Sequence, residues 1–183
     1  MTTLEQLASS TNYRHSRNVA QISRIIALKY GYNQAEADTI EQAALYHDVG
    51  KSAIPREILK KPGALTPEEF AIVKTHTEAG HSLIMEAVGL LQISAAVAKE
   101  HHERLDGSGY LQIPGRELNP YTRLISVADV CDALLSRRAY KPPWKVTDVV
   151  NYLTDHAHYF DPEIVRCLVS EINNVLLVYN KPS

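Results

Sequence analysis

Cysteine is scarce in this chain, and its scarcity excludes the folds that depend on it. The 183 residues contain two cysteines, Cys131 and Cys167. Both lie in apolar helical patterns, so we predict buried free thiols in a reducing compartment rather than a disulfide. These two positions also cannot supply the thiolate ligands of a zinc finger.

Long apolar runs and long runs of one charge are missing too. No apolar stretch approaches the roughly 20 residues that a helix needs to cross a bilayer. The segment Met1–Glu5 does not have the character of a signal peptide. The formal net charge is -2 and no long basic run occurs, so nothing indicates a surface for duplex nucleic acid. We therefore predict a cytoplasmic protein with no membrane and no nucleic-acid duplex as partner.

Apolar residues are plentiful enough for a full core. They make up 45% of the 183 residues, which suits one domain spanning residues 1–183. They recur at helical spacing along the chain, which predicts an all-α fold, a compact bundle of about seven to eight helices. We expect an N-terminal helix over 4–30, a central core over 33–137 and C-terminal helices over 144–178.

An adjacent histidine and aspartate, His47 and Asp48, follow a helix that starts at the capping-box residues Asn33 and Glu36 and is predicted to end at Gly50. Imidazole and carboxylate groups are ligands for divalent cations. One such pair is more often structural, but other candidates occupy inward faces or helix ends elsewhere in the chain. These are His15, His76, His101, His102 and Asp129.

Five histidines and two aspartates exceed what a single ion needs. A mixed set of this kind suits two cations bridged by one carboxylate and a water, the arrangement that clamps a phosphate and lowers the pKa of the bridging water. Iron, manganese, zinc and nickel all fit these ligand types. A histidine on a buried stripe can equally be a hydrogen-bonded core residue, and at His15 both interpretations stay open.

A glycine-rich loop and a basic cluster complete the candidate features. The loop passes Asp106, Gly107, Gly109 and Tyr110, and its length is typical either of a functional loop or of a solvated turn. The basic cluster at 137–141 is either a solvated helix end or a phosphate clamp.

The order of these motifs resembles the HD-GYP family, over nearly the whole chain. The motifs that carry the resemblance are His15-Ser16-x-Arg, His47-Asp48-x-Gly-Lys51, Lys74-Thr75-His76, His101-His102-Glu103-Arg-x-Asp106-Gly107-Ser108-Gly109-Tyr110, Val127-Ala128-Asp129-Val130 and Arg138-x-Tyr140-Lys141.

The resemblance implies a metal-dependent phosphodiesterase of the HD superfamily. Such an enzyme hydrolyses a 3′–5′ bond of cyclic di-GMP by a metal-bridged hydroxide and gives linear pGpG, GMP or both. It implies two divalent ions, iron or manganese first, with zinc or nickel as alternatives. One ion would be held by His47, Asp48 and Asp129, with Asp48 bridging, and the other by His76, His101 and His102, with His15 at the edge.

The resemblance also assigns the substrate contacts. Asp48 and Lys51 would be catalytic, with Lys51 on the scissile phosphate, and Arg138 and Lys141 would bind the substrate. The loop 105–118 would contact GGDEF-domain proteins.

The chain departs from the family pattern at three positions, of which Ala139, where proline is common, is a mild change. Leu111 stands where the family has proline, which removes a fixed φ and affects loop pose and partner binding. Thr11 stands where some members have a glutamate for a third metal, so we predict two metals. Two alternatives to the phosphodiesterase stay open: a catalytically weak cyclic dinucleotide binding or protein-interaction module, and a phosphohydrolase for another cyclic dinucleotide or nucleotide.

Overall fold

The computed structural model describes residues 6, 8, 12–87, 92–136 and 142–180, and every regular element in these ranges is helical. The predicted all-α fold is therefore confirmed. The α-helices are α1 (Tyr13–Tyr30), α2 (Gln34–Tyr46), α3 (Arg56–Leu59), α4 (Pro67–Lys74), α5 (His76–Ala87), α6 (Gln92–Glu100), α7 (Pro120–Leu135), α8 (Val146–Asp155), α9 (Pro162–Ser170) and α10 (Ile172–Leu177). Short 3₁₀-helices span Val49–Ala53, Gly115–Glu117 and Val178–Asn180.

Several helices begin and end at the residues that the sequence indicates. The side chain of Asn33 accepts a hydrogen bond from Glu36 N, and the Glu36 carboxylate accepts one from Asn33 N, which forms the predicted capping box of α2. Asn119 accepts from Tyr121 N at the start of α7. Gly31 ends α1 in the left-handed region at φ 109, where glycine has no steric penalty.

Two predicted helix boundaries differ from the structure. The predicted helix over 4–30 is not continuous, because Asn12 is not helical, at φ -103 and ψ 70, and α1 begins at Tyr13. Of the residues before it that the structure describes, Gln6 and Ala8 are helical. The helix predicted to end at Gly50 ends at Tyr46, and the chain continues into the 3₁₀-helix Val49–Ala53.

The helical segments are more numerous than predicted because two stretches, each with one continuous apolar pattern, form two helices each: α4 with α5, and α9 with α10. Thr75 separates α4 from α5, and its hydroxyl donates to Ile72 O at 2.7 Å. Glu171 separates α9 from α10 at φ -103 and ψ 14. At Thr75 the side chain hydrogen-bonds the backbone in competition with the helix, and both breaks leave the apolar periodicity unchanged.

The main core lies between α1, α2, α7 and the C-terminal helices. Its large, fully buried side chains include Ile22, Ile26, Leu124, Phe160 and Leu168. A smaller cluster joins the ends of α2, α5 and α6. The two clusters flank a polar interior where helix ends meet, and this interior holds the candidate ligands.

The structure also bears on the cysteines and on membrane-spanning segments. Both cysteines have free thiols, with Cys131 buried and Cys167 half-buried, and burial raises the pKa of the Cys131 thiol to about 12. None of the described helices has the length and apolarity that crossing a membrane requires.

Candidate metal centre

Five helices and helix ends bring the seven predicted ligands into one buried region. α1 supplies His15, the end of α2 supplies His47 and Asp48, α5 supplies His76, and α7 supplies Asp129; the end of α6 supplies His101 and His102. All are buried except His102, which is half-buried. The structure therefore places these residues together, as the sequence predicted.

Helix ends explain how adjacent residues can both face the same space. α2 stops at Tyr46 and α6 stops at Glu100, so each His pair or His–Asp pair lies in a turn rather than on a regular helix. Neighbouring residues on a helix are about 100° apart and would otherwise diverge.

Asp48 lies in the middle of the cluster, with its two carboxylate oxygens facing different histidines. Oδ1 is 3.4 Å from His76 Nε2 and 3.6 Å from His101 Nε2. Oδ2 is 3.4 Å from His47 Nε2 and 3.7 Å from His15 Nε2. This is the geometry of a carboxylate that could bridge two cations.

Two groups of candidate ligands lie on either side of Asp48. His15, His47 and Asp129 form the first group, and His76, His101 and His102 form the second; within each, the ligand atoms lie within 4.8 Å of one another. His47, Asp48 and His101 meet the same criterion and join the two groups. The resemblance left His15 at the edge, whereas the structure places its Nε2 3.1 Å from Asp129 Oδ1. Lys51 is half-buried, and its ammonium contacts Asp48 Oδ2.

Backbone carbonyls fix the orientation of three histidines. The Nδ1 atoms of His47 and His76 each lie 2.6 Å from the carbonyl oxygen three residues earlier, and Nδ1 of His101 lies 3.0 Å from Ala98 O. A carbonyl oxygen only accepts, so each Nδ1 carries the proton and each Nε2 presents a lone pair to the cluster.

The cluster fits cations better than it fits hydrogen bonding among its own members. His76 Nε2 and His101 Nε2 are 3.3 Å apart, and neither carries a proton to donate. Two nitrogens at about 2.1 Å from one ion would be separated by roughly 3 to 3.4 Å. Within the described ranges, the buried atoms His47 Nε2 and Asp48 Oδ1 lack any hydrogen-bond partner, and buried polar atoms are rarely left so.

Electrostatics favours the ligand forms of most of these residues. Burial lowers the pKa of His76 to about 4 and that of His102 to about 2. Burial would raise the pKa values of Asp48 and Asp129. For Asp48 the charge of Lys51 outweighs burial, and for Asp129 the hydrogen bond and charge of His15 do, so both pKa values fall below their usual range. At neutral pH the two histidines are neutral and both carboxylates are ionised.

His15 is the exception. Burial would lower its pKa, but hydrogen bonds to Asp129 and Asp132 outweigh burial and raise the pKa to about 10. A cation bound by Nε2 would take the place of the proton held there between His15 and Asp129.

Asp132 was not predicted as a site residue, although it lies one helical turn after Asp129. It is fully buried and accepts from His15 Nδ1 at 2.7 Å. Its other oxygen accepts from Asn18 Nδ2 at 2.9 Å, from Tyr179 OH at 2.9 Å and from Ser136 Oγ at 3.0 Å. Asp132 therefore orients His15 as the carbonyl oxygens orient the other histidines.

We expect Asp132→Asn to weaken metal binding by about 10- to 100-fold, the usual effect of losing a group that orients a ligand. An amide at this position has one acceptor oxygen and brings an NH₂ group against existing donors. Manganese titration of the purified protein measures the change. Tyr179→Phe is the control: it removes one donor to Asp132 but keeps the contact with His15, so its effect should be smaller. Equal affinities in wild type and Asp132→Asn would contradict this role.

Of the predicted loop residues, Tyr110 lies beside the group that contains His102. The Tyr110 ring is 4.4 Å from the His102 ring, centroid to centroid. Gly107 adopts φ 78, and Asp106 accepts from Ser108 N in an exposed turn. Gly109 packs against Glu103, where a Cβ would lie 2.4 Å from Glu103 Cα. The predicted substrate residues Arg138 and Lys141 lie outside the described residues.

Comparison with known proteins supports a family for this architecture. Residues 2–164 match the HD domain family. A cyclic di-GMP phosphodiesterase response regulator, RpfG, from Xanthomonas campestris is 38% identical over 91% of this chain and 47% of its own length. A cyclic di-GMP phosphodiesterase from Thermotoga maritima is 35% identical over 97% and 49%. A 3′3′-cGAMP-specific phosphodiesterase from Vibrio cholerae is 36% identical over 90% and 32%.

Solved structures show the same fold. Bd1817, an HDG"Y"P protein from Bdellovibrio bacteriovorus, has a TM-score of 0.72 at 20% identity, over 87% of this chain and 51% of that protein. The HD domain of the phosphodiesterase PgpH from L. monocytogenes, solved with cyclic-di-AMP, has a TM-score of 0.68 at 19% identity, over 93% and 92%. The chain spans about half the length of the first two curated relatives.

Proposed function

The chain belongs to the HD domain family, and from that premise we propose that it is a metal-dependent phosphodiesterase that hydrolyses cyclic di-GMP to linear pGpG, GMP or both. The observation that carries the proposal is Asp48, whose two oxygens face two separate groups of candidate ligands. This arrangement suits two divalent ions, iron or manganese first, flanking one phosphodiester.

Each candidate residue would have a separate role at the metal centre. Asp48 would bridge the ions, with His15, His47 and Asp129 on one side and His76, His101 and His102 on the other. Divalent ions in such a site lower the pKa of water and neutralise charge on a phosphate. Lys51, half-buried beside Asp48, would contact the scissile phosphate and stabilise the negative charge that develops on it.

The carbonyl and carboxylate partners of the histidines would keep this site preorganised. Because each Nδ1 donates to a carbonyl oxygen, His47, His76 and His101 have a defined tautomer before any ion binds, and Asp132 holds the Nδ1 of His15 in the same way. Arg138 and Lys141, assigned from the resemblance alone, would bind the remaining phosphate or the bases. The contact of loop 105–118 with GGDEF-domain proteins stays a prediction of the same kind.

The names of the similar proteins support a cyclic dinucleotide as the substrate. Two of those described above are named for cyclic di-GMP and one for 3′3′-cGAMP. Both molecules are rings closed by two 3′–5′ phosphodiesters, so the same metal site can serve either. We propose cyclic di-GMP as the main substrate and 3′3′-cGAMP as the competitor to be tested beside it.

Hydrolysis of the two cyclic dinucleotides by one protein sample tests the proposal. The protein is purified without oxygen, reloaded in turn with iron and manganese, and its metal content is counted in the same samples. We expect about two metals per chain and turnover that is faster with cyclic di-GMP. Two bound metals with no turnover of either ring would contradict the phosphodiesterase and favour a binding module. No bound metal would contradict the metal centre itself.

A further inference from the structure

His102 is held differently from the other four candidate histidine ligands. Each of those has its Nδ1 against a carbonyl or carboxylate oxygen. In the part of the chain that the structure describes, the His102 ring has ring contacts and no hydrogen bond. Its partner on the loop side is Tyr110, tilted 32° at 4.4 Å between centroids. The other ring contacts are with His101 at 4.2 Å and His76 at 5.2 Å, so Tyr110 is the contribution of the loop to the orientation of His102.

Glu103, the residue after His102, fastens that loop. Its side chain is buried, with 1% of the residue exposed. One carboxylate oxygen accepts from Leu111 N at 2.8 Å and the other accepts from Ile113 N at 2.8 Å. Gly109 allows this close approach, since a Cβ there would lie 2.6 Å from Glu103 Cδ. These contacts form a clamp next to Tyr110: the two hydrogen bonds hold Leu111 and Ile113 after it, and Gly109 packs on Glu103 just before it.

We propose that Glu103 is a positioning residue for the second metal group, acting through the loop and Tyr110 to hold His102, and that Leu111 supplies a donor which the family's proline lacks. The inference rests on the proposed metal-dependent function. Proline has no N–H, so at position 111 it would leave one oxygen of a buried carboxylate without this hydrogen bond. With leucine at position 111, the backbone has no fixed φ but donates a hydrogen bond to Glu103.

Cobalt titration, followed by absorption and calorimetry, tests this inference without any measure of turnover. In Glu103→Gln, the amide NH₂ would face a backbone donor, so one end of the clamp is lost. We expect one of the two cobalt sites to weaken by about 10- to 100-fold, with an altered cobalt spectrum, while the other keeps its wild-type affinity. Glu117→Gln is the matched control, because Glu117 is exposed at the far end of the loop and the change in charge is the same.

A second pair of variants keeps the test decisive if Glu103→Gln fails to fold. Leu111→Pro removes one N–H donor and Leu111→Ala removes only the side chain beyond Cβ. We expect the proline variant to weaken the second cobalt site more than the alanine variant does. Two sites of unchanged affinity in both Glu103→Gln and Leu111→Pro would overturn the role of Glu103. A wild-type chain that binds two cobalt ions but hydrolyses neither cyclic dinucleotide would contradict the proposed function only.

Discussion

Asp48→Ala should remove both metal ions and essentially all turnover. Asp48 faces both ligand groups, through Oδ1 to His76 and His101 and through Oδ2 to His47 and His15. Without it each group keeps only three ligands, and the two cations lose the negative charge between them. Metal ions contribute several kcal/mol to stabilising a phosphoryl transition state, so we expect the rate to fall by about 10³-fold or more.

Metal counting and hydrolysis rates, measured on the same samples, check this result. Asp155→Ala serves as the control, because Asp155 is exposed at the end of α8, away from the ligand groups. Two retained metals with normal turnover would show that the ligand set is misassigned. Two retained metals with lost turnover would show that Asp48 acts on the substrate and does not bridge.

The candidate ligands could be picked out from the sequence because residue type and helical phase are visible there. His47 and Asp48 are adjacent at a helix end, and Asp129 lies on the buried stripe of α7, where an unpaired carboxylate is costly. These are local properties of the chain. His15 shows the limit of such reasoning: its burial was predicted, but its closeness to Asp129 depends on how α1 packs against α7.

The residues that orient the ligands could not be predicted in the same way. Asp132 and His15 are 117 residues apart in sequence, and their hydrogen bond exists only in the folded chain. The family resemblance included Glu103 in a motif but assigned it no role. Its partners are backbone N–H groups of a loop. Backbone donors are the same in every residue but proline, so no pattern of side chains reveals which of them a carboxylate reaches.

The end of α2 differs from its predicted position because contacts between distant parts of the chain decide it. The apolar pattern continues past Tyr46, yet α2 ends there and the following 3₁₀-helix lies against α5. Gly50 makes this contact, close to both His76 O and the backbone of Gly80. Packing between elements decided the boundary, and a residue chosen as a helix breaker proved to be a point of close approach.

Gly50→Ala should therefore be strongly destabilising, and Gly80→Ala should not. A Cβ on Gly50 would lie 2.0 Å from His76 O and 2.4 Å from Gly80 N, and both atoms belong to the backbone. Relief requires the 3₁₀-helix to move away from α5, which would also separate Asp48 from His76. We expect a loss of about 3 kcal/mol or more in the free energy of unfolding, at the upper end of overpacking effects.

Gly80→Ala is the matched control, since it places a methyl group at the same contact from the other side. Its nearest neighbours would be Ala98 Cβ and Gly50 N, both at 3.3 Å, so a shift of a few tenths of an ångström accommodates it. Alanine also favours a helix interior over glycine by about 1 kcal/mol, which offsets the tight contact. Urea denaturation of the metal-free proteins measures both changes. Equal midpoints for Gly50→Ala and wild type would show that the two elements can separate without cost, and the position of Asp48 beside His76 would then need another cause.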